Sequence, residues 1–194
     1  FSFAASFFES ASALSTTGTT AIDHLDSRPP SILLWRSMLQ FLGGIGFVVI
    51  GVAILPNISM GGIAIFKTES TSFDCNAKNT PHVKTMALSL LAWYSLTAIL
   101  CSFFYYLGGF SPFVAINSAL CTVSTGGMMP TDASMNDATP FVHYTAMFFM
   151  LLGSCPFFLI LKSLTDDVFE FFRDQQVRYY LTTIVLVAGT IAIT

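Results

Sequence analysis

The chain of 194 residues is 54% hydrophobic and 10% charged, with a formal net charge of -3 and a mean hydropathy of +0.70. Soluble domains carry about a quarter charged residues, so this balance excludes an ordinary cytosolic globule and places the chain in a membrane. It also offers no basic patch for nucleic acid. Of the four cysteines, Cys75, Cys101, Cys121 and Cys155, none shows C-x-x-C or zinc spacing. The last three sit in apolar runs, as small core residues do.

Phe1 to Leu14 is apolar with one acid, Glu9, and is shorter than the about 20 residues a spanning helix needs. It leads into Leu14-Ser15-Thr16-Thr17-Gly18-Thr19-Thr20. A polar loop follows from Ala21 to Ser31, then a long apolar run from Ile32 to Leu55, stopped by Pro56. That run carries Trp35, suited to an interfacial belt, and Arg36, expected to snorkel to the interface rather than pair with an outer acid. Its glycines Gly43, Gly44, Gly46 and Gly51 predict close packing against another helix or the short segment.

Residues 57–84 are the least apolar and predict a loop; Thr85 to Leu107 predicts a second span. Pro112 to Val123 is again short, with turn residues on both sides and Pro112 suited to a first helical turn. Val123-Ser124-Thr125-Gly126-Gly127 and a polar loop from Met128 to Pro140 come next. Phe141 to Leu161 predicts a third span, kinked near Gly153 and Pro156. A charged connector covers 162–178, and 179–194 is apolar to its end. Beginning and ending inside helical patterns, with no basic signal region, the chain reads as a fragment of a longer protein.

The order of short apolar segment, hydroxyl-and-glycine turn, polar loop and long apolar segment occurs twice, and that repeat organises the chain. Ser12-Ala13-Leu14 and Ser118-Ala119-Leu120 are read as its matching marks, with Gly18 and Gly126 expected to be equivalent. Lys67, Lys78, Lys84, Lys162, Arg173 and Arg178 lie in loops 57–84 and 162–178, whereas the other two loops hold only Arg28. The positive-inside rule makes the first pair cytoplasmic, so both turns open outward. Uncharged turns with uncrowded carbonyls suit replacement of a cation's hydration shell. A half-helix ending at such a turn directs its negative dipole end at the ion.

Phe7-Phe8-Glu9-Ser10, Ser15-Thr16-Thr17-Gly18, Trp35-Arg36-Ser37-Met38-Leu39-Gln40, Gly43-Gly44-Ile45-Gly46 and Val52-Ala53-Ile54-Leu55-Pro56 together resemble the TrkH/KtrB potassium transporter family, nearer TrkH. Gly127 with Asp132-Ala133-Ser134 resembles its second filter region, although Met128 stands where that resemblance leads one to expect Phe. The resemblance implies an all-α integral membrane protein of potassium-channel type, built from four helix–half-helix–helix repeats in one chain. It further implies a homodimer, a cytosolic nucleotide-binding regulatory partner of TrkA type, and potassium uptake across the bacterial cytoplasmic membrane. Residues 1–56 would be repeat one without its first helix, 85–161 repeat two, and 179–194 the start of repeat three. Potassium would meet backbone carbonyls of Thr16, Thr17, Gly18, Ser124, Thr125 and Gly126, flanked by Ser15, Thr19 and Gly127. No cofactor other than the transported ion is expected.

Glu9 either tunes this site or braces backbone. Asp132 and Asp137 either concentrate cations at the outer mouth or belong to a plain solvated loop. His24, His82 and His143 are isolated, and no nucleophile–base pair or metal cluster emerges, which argues against an enzyme. A sodium or mixed-cation transporter of the same fold is the nearest alternative. A membrane scaffold or enzyme with glycine-packed helices is the alternative from another class.

Overall fold

The computed structural model describes residues 2–54, 81–155 and 174–193, and among these every regular element is helical. Helix α1 spans Phe3–Leu14, a single 3-10 turn covers Leu25–Ser27, and α2 spans Pro30–Ile54. Then follow α3 (Pro81–Leu107), α4 (Pro112–Val123), α5 (Pro140–Ser154) and α6 (Gln175–Ile193). Several expected boundaries move. Helix α2 begins inside the loop assigned to 21–31, α3 begins at Pro81 rather than Thr85, and Gln175 to Arg178 is helical rather than connector. The rest of the 57–84 loop and of the 162–178 connector, with Lys67, Lys78, Lys162 and Arg173, lies outside the described residues, as do Pro56 and Pro156.

The two short helices, α1 and α4, each have 12 residues and are built alike. Ser2 Oγ accepts from Ala5 N–H and starts α1; Ser111 Oγ accepts from Val114 N–H and starts α4. Such serine caps satisfy one of the free amides of a first turn and contribute about 1 kcal/mol. Pro112 sits in the first turn of α4, where its missing N–H leaves no bond unmade.

Helix α3 buries Leu90, Tyr94, Ala98, Cys101 and Tyr105. The last four recur at helical spacing on one face. They pack with Ala115, Ala119 and Val123 of α4 and Val142, Ala146 and Phe149 of α5 to form the main core. Leu88, Ile99, Phe103, Tyr106 and Leu107 of α3 face outward. So large an outward apolar surface on a helix suits lipid rather than water. Leu88–Leu107, 20 residues, is the one stretch among the described residues long and apolar enough to cross a membrane. Tyr105 Oη and Thr122 Oγ1 lie 2.7 Å apart and tie α3 to α4 inside this core.

Glycines bring the helices together at three places. Gly43 of α2 lies against the Leu14 carbonyl, and Gly153 of α5 against that of Val123, where an added Cβ would stand 2.8 Å from the oxygen. Each long helix thus packs closely on the C-terminal end of the short helix that precedes it. Gly44 packs against Tyr94 and Ser124, whereas among the described residues nothing lies within 4 Å of where a Cβ on Gly46 would stand. Gly51 lies where only the backbone is described. The free cysteines Cys101, Cys121 and Cys155 are buried, as small core residues are.

Candidate functional site

Both short helices end in the same way. After α1, Thr16 N–H donates to Ala13 O at 3.0 Å and Thr17 N–H to Ser12 O at 3.0 Å. After α4, Thr125 N–H donates to Thr122 O at 3.0 Å and Gly126 N–H to Cys121 O at 3.0 Å. This crossed pair of bonds closes a helix C-terminus around one left-handed residue, normally glycine. Here that residue is threonine both times: Thr16 has φ 55° and Thr125 φ 54°. A β-branched residue at positive φ is an outlier, costing on the order of 1–3 kcal/mol, and such strain concentrates at functional sites.

The caps fix the register of the repeat. Ser2 matches Ser111, Leu14 matches Val123, Thr16 matches Thr125 and Thr17 matches Gly126. Gly18, at φ 81°, therefore matches Gly127, at φ 75°, and not Gly126 as expected. Gly18 and Gly126 each stand directly after a hydroxyl run, Ser15-Thr16-Thr17 and Ser124-Thr125, but the two runs differ in length by one residue.

The two turns meet. The carbonyl oxygen of Gly126 lies where a Cβ on Gly18 would project. Gly18 thus comes against Gly126, in turns that follow the C-terminal ends of the two short helices. Both ends present the negative pole of a helix dipole, which favours a cation. Among the described residues no cluster of His, Cys, Asp or Glu could hold a metal ion. The oxygens on offer at the turns are instead carbonyls and the hydroxyls of Ser15, Thr16 and Thr17, of which Ser15 Oγ and Thr17 Oγ1 lie 2.8 Å apart.

Behind the first turn the chain is held by a buried carboxylate. Glu9, on α1, is 5% exposed. Its Oε1 accepts from Thr20 Oγ1 at 2.9 Å and its Oε2 from Ala21 N–H at 2.9 Å. Ser12 Oγ donates to Thr19 O at 2.5 Å. Glu9 is therefore a brace for the strand leaving the turn. Arg36 does not snorkel: it is 3% exposed, with Nε 2.6 Å from Glu9 Oε1. Its N–H is off the line to the oxygen, so the contact is an ion pair rather than a hydrogen bond. The competing attraction is simple: a carboxylate out of water needs an opposite charge more than the arginine needs the interface.

Behind the second turn stands Gln40 of α2, 0% exposed, whose Oε1 accepts from Met128 N–H at 3.3 Å. Sequence reasoning noted Gln40 only as the end of the Trp35-to-Gln40 segment that carries the family resemblance. The signal it missed is that Glu9, Arg36 and Gln40 all lie within apolar segments, where polar groups face partners.

The loops that follow the two turns also touch. Asp132 Oδ1 accepts from Leu25 N–H at 2.9 Å and Oδ2 from Asp26 N–H at 3.3 Å, capping the 3-10 turn. These amides, Leu25 first, hold the Asp132 carboxyl below its usual range. Asp132 is thus a link between loops, which neither earlier reading included. The loops share a left-handed residue, His24 at φ 56° and Ser134 at φ 53°.

The family model for TrkH, described as a cation transport protein, matches residues 1–193. The chain is 38% identical to the Trk system potassium uptake protein TrkI of Halomonas elongata over 93% of its length, covering 37% of that protein. It is 33% identical to TrkH of Escherichia coli K12 over 90% of its length, again 37% of the relative. The crystal structure of the potassium transporter TrkH from Vibrio parahaemolyticus superposes with a TM-score of 0.81 at 32% identity, over 96% of this chain and 37% of that one. The chain thus spans little more than a third of the length of the relatives it matches.

Proposed function

The chain belongs to the TrkH family of cation transport proteins, and on that premise we propose that it supplies the first two repeats of a potassium uptake protein of the bacterial cytoplasmic membrane. In this reading α1 and α4 are re-entrant half-helices, and the turns at Thr16-Thr17-Gly18 and Thr125-Gly126-Gly127 line one side of a carbonyl-lined filter. Ser124 and Thr19 flank it. The observation that carries the reading is the repeated strain: threonine held at positive φ at the same place in two turns that face each other. A fold that needed only a helix stop would use glycine there. Potassium gains when rigid oxygens match its hydration shell, and a ring of them takes about four such loops. Two come from this chain.

The relatives named as Trk system potassium uptake proteins support potassium as the cargo and transport rather than catalysis. The homodimer and the TrkA-type nucleotide-binding regulator implied by the resemblance stay part of this proposal.

The deciding experiment measures the potassium-to-sodium uptake ratio of the full-length protein in vesicles. Gly18→Ala should lower that ratio while the protein remains at normal abundance. A parental ratio would remove the turns as the filter. Orientation is checked separately with single cysteines at Asp26 and Asp132, which touch across the loops and should label together from outside.

A further inference from the structure

We propose that Gln40 is a positioning residue that sets the spacing of the two turns and, through it, the preference for potassium over sodium. This rests on the filter reading above.

Gln40 belongs to α2, in the first repeat, yet its partner lies in the second. Its Oε1 accepts from the N–H of Met128, the residue directly after Gly127. A donor there requires the amide oxygen, so the orientation of the side chain is fixed. Nε2 then faces the turns. It is buried, has no hydrogen-bond partner among the described residues, and lies 3.7 Å from where a Cβ on Gly18 would stand. One amide therefore reaches both turns.

The register of the repeat supplies independent support. Thr17 and Gly126 are matching positions, but only the second is glycine. Gly126 is not among the residues at positive φ, so its backbone does not demand glycine. Its side-chain space does: a Cβ there would run into the amide of Gln40, with Cγ at 2.7 Å. Glycine at 126 thus answers to Gln40. In α5 the position matching Gln40 is Met150, counted from Pro30 and Pro140 at the helix starts. Methionine offers no amide, so the contact is specific to the first repeat and not a by-product of the fold.

The physical consequence follows from tolerance. A binding constellation must hold its groups to about 0.5 Å, and here the ligands are carbonyls on irregular backbone. Gln40 fixes where the second turn leaves the site, through Met128, and how closely Gly126 approaches, by filling the space beside it. If the turn is free to relax, its carbonyls close on the smaller ion and the advantage of potassium shrinks.

The test uses full-length protein in vesicles loaded for potassium or sodium uptake. Gln40→Met keeps the volume and removes the acceptor. It should lower the potassium-to-sodium ratio about tenfold, equivalent to about 1.4 kcal/mol, at normal abundance and monodispersity. A parental ratio in Gln40→Met, with a lowered ratio in Gly18→Ala, would overturn the role of Gln40 and leave the filter standing. Parental ratios in both would overturn the filter and the proposal together. A second measurement covers the case where Gln40→Met folds poorly. Gly126→Ala should lower abundance, and Gln40→Ala in the same molecule should restore part of that abundance by making room, with selectivity still low. A double variant no more abundant than Gly126→Ala alone, or one with parental selectivity, would overturn the proposal.

Discussion

The carbonyl oxygen of Gly126 fills the space into which a Cβ on Gly18 would project, so the first turn can carry no side chain there while the second keeps its place. Gly18 is constrained twice, by this oxygen and by its φ of 81°. Its counterpart Gly127, at φ 75°, has open space on the side where a Cβ would stand. Alanine at Gly127 then meets backbone strain alone, about 1 kcal/mol. Alanine at Gly18 adds a collision with backbone that cannot rotate away. Gly18→Ala should therefore lose more potassium selectivity than Gly127→Ala. Paired uptake ratios in vesicles read the order, and equal losses would mean that the turns do not touch.

The threonines at positive φ lead to an unusual pairing of effects. Glycine at Thr16 or Thr125 would relieve left-handed strain on the order of 1 kcal/mol or more. The variants should be as heat-stable as the parent or more so, by unfolding in detergent. Selectivity should nonetheless fall, because the freed turn samples other carbonyl positions. A stable variant with full selectivity would show that the strain has no bearing on transport.

The repeat was legible in the sequence because its marks are chemical: glycine and hydroxyl residues at the turns, polar loops after them, apolar runs of two lengths. The register was not. The hydroxyl runs before Gly18 and Gly126 differ in length by one residue, and nothing in composition says which end of each run keeps the register. The bonds that decide it join backbone atoms, which all residues share. Arg36 was misplaced for a related reason. Local sequence shows an arginine next to Trp35 near a helix start, a pattern that suits an interface. Its partner Glu9 is on another helix, and only the fold brings the two within 2.6 Å. Gln40 needed still more, since its partner Met128 lies in the other repeat.

That buried pair predicts its own response to truncation. Removing one member leaves a bare charge away from water, at a cost of about 3–5 kcal/mol. Arg36→Met should sharply lower the amount of folded protein, because Glu9 keeps its charge beside Thr20 and Ala21. Adding Glu9→Gln to Arg36→Met should recover part of it, since the glutamine oxygen can still accept from one of these donors. Fluorescence-detected gel filtration on heated samples gives the comparison. A double variant less stable than Arg36→Met would show that the ion pair is not the source of the loss.

The last prediction concerns the link between the loops that follow the two turns. Asp132 caps the 3-10 turn of the first repeat through Leu25 N–H and Asp26 N–H. Both bonds favour the ionised carboxylate and hold its pKa below the ordinary value of 3.8. A depressed folded value contributes stability that is fully present above the ordinary value and lost as the pH falls through the folded one. The link should therefore be intact at neutral pH and fail only in strong acid, below pH 3.8. His24 also lowers the Asp132 value by its charge, but less than the Leu25 amide does, so His24→Ala should leave the link in place at neutral pH. Asp132→Ala should instead release it at every pH. Hydrogen exchange at the amides of Leu25 and Asp26 in full-length protein reports the link directly. Protection of both should be high in the parent at neutral pH and reduced severalfold in Asp132→Ala, with core amides of α3 unchanged. Because the carboxylate is exposed, the effect on global stability should be small. Equal protection in parent and Asp132→Ala would mean that the loops are held together by apolar contacts around Ile22, Leu25 and Leu33 instead.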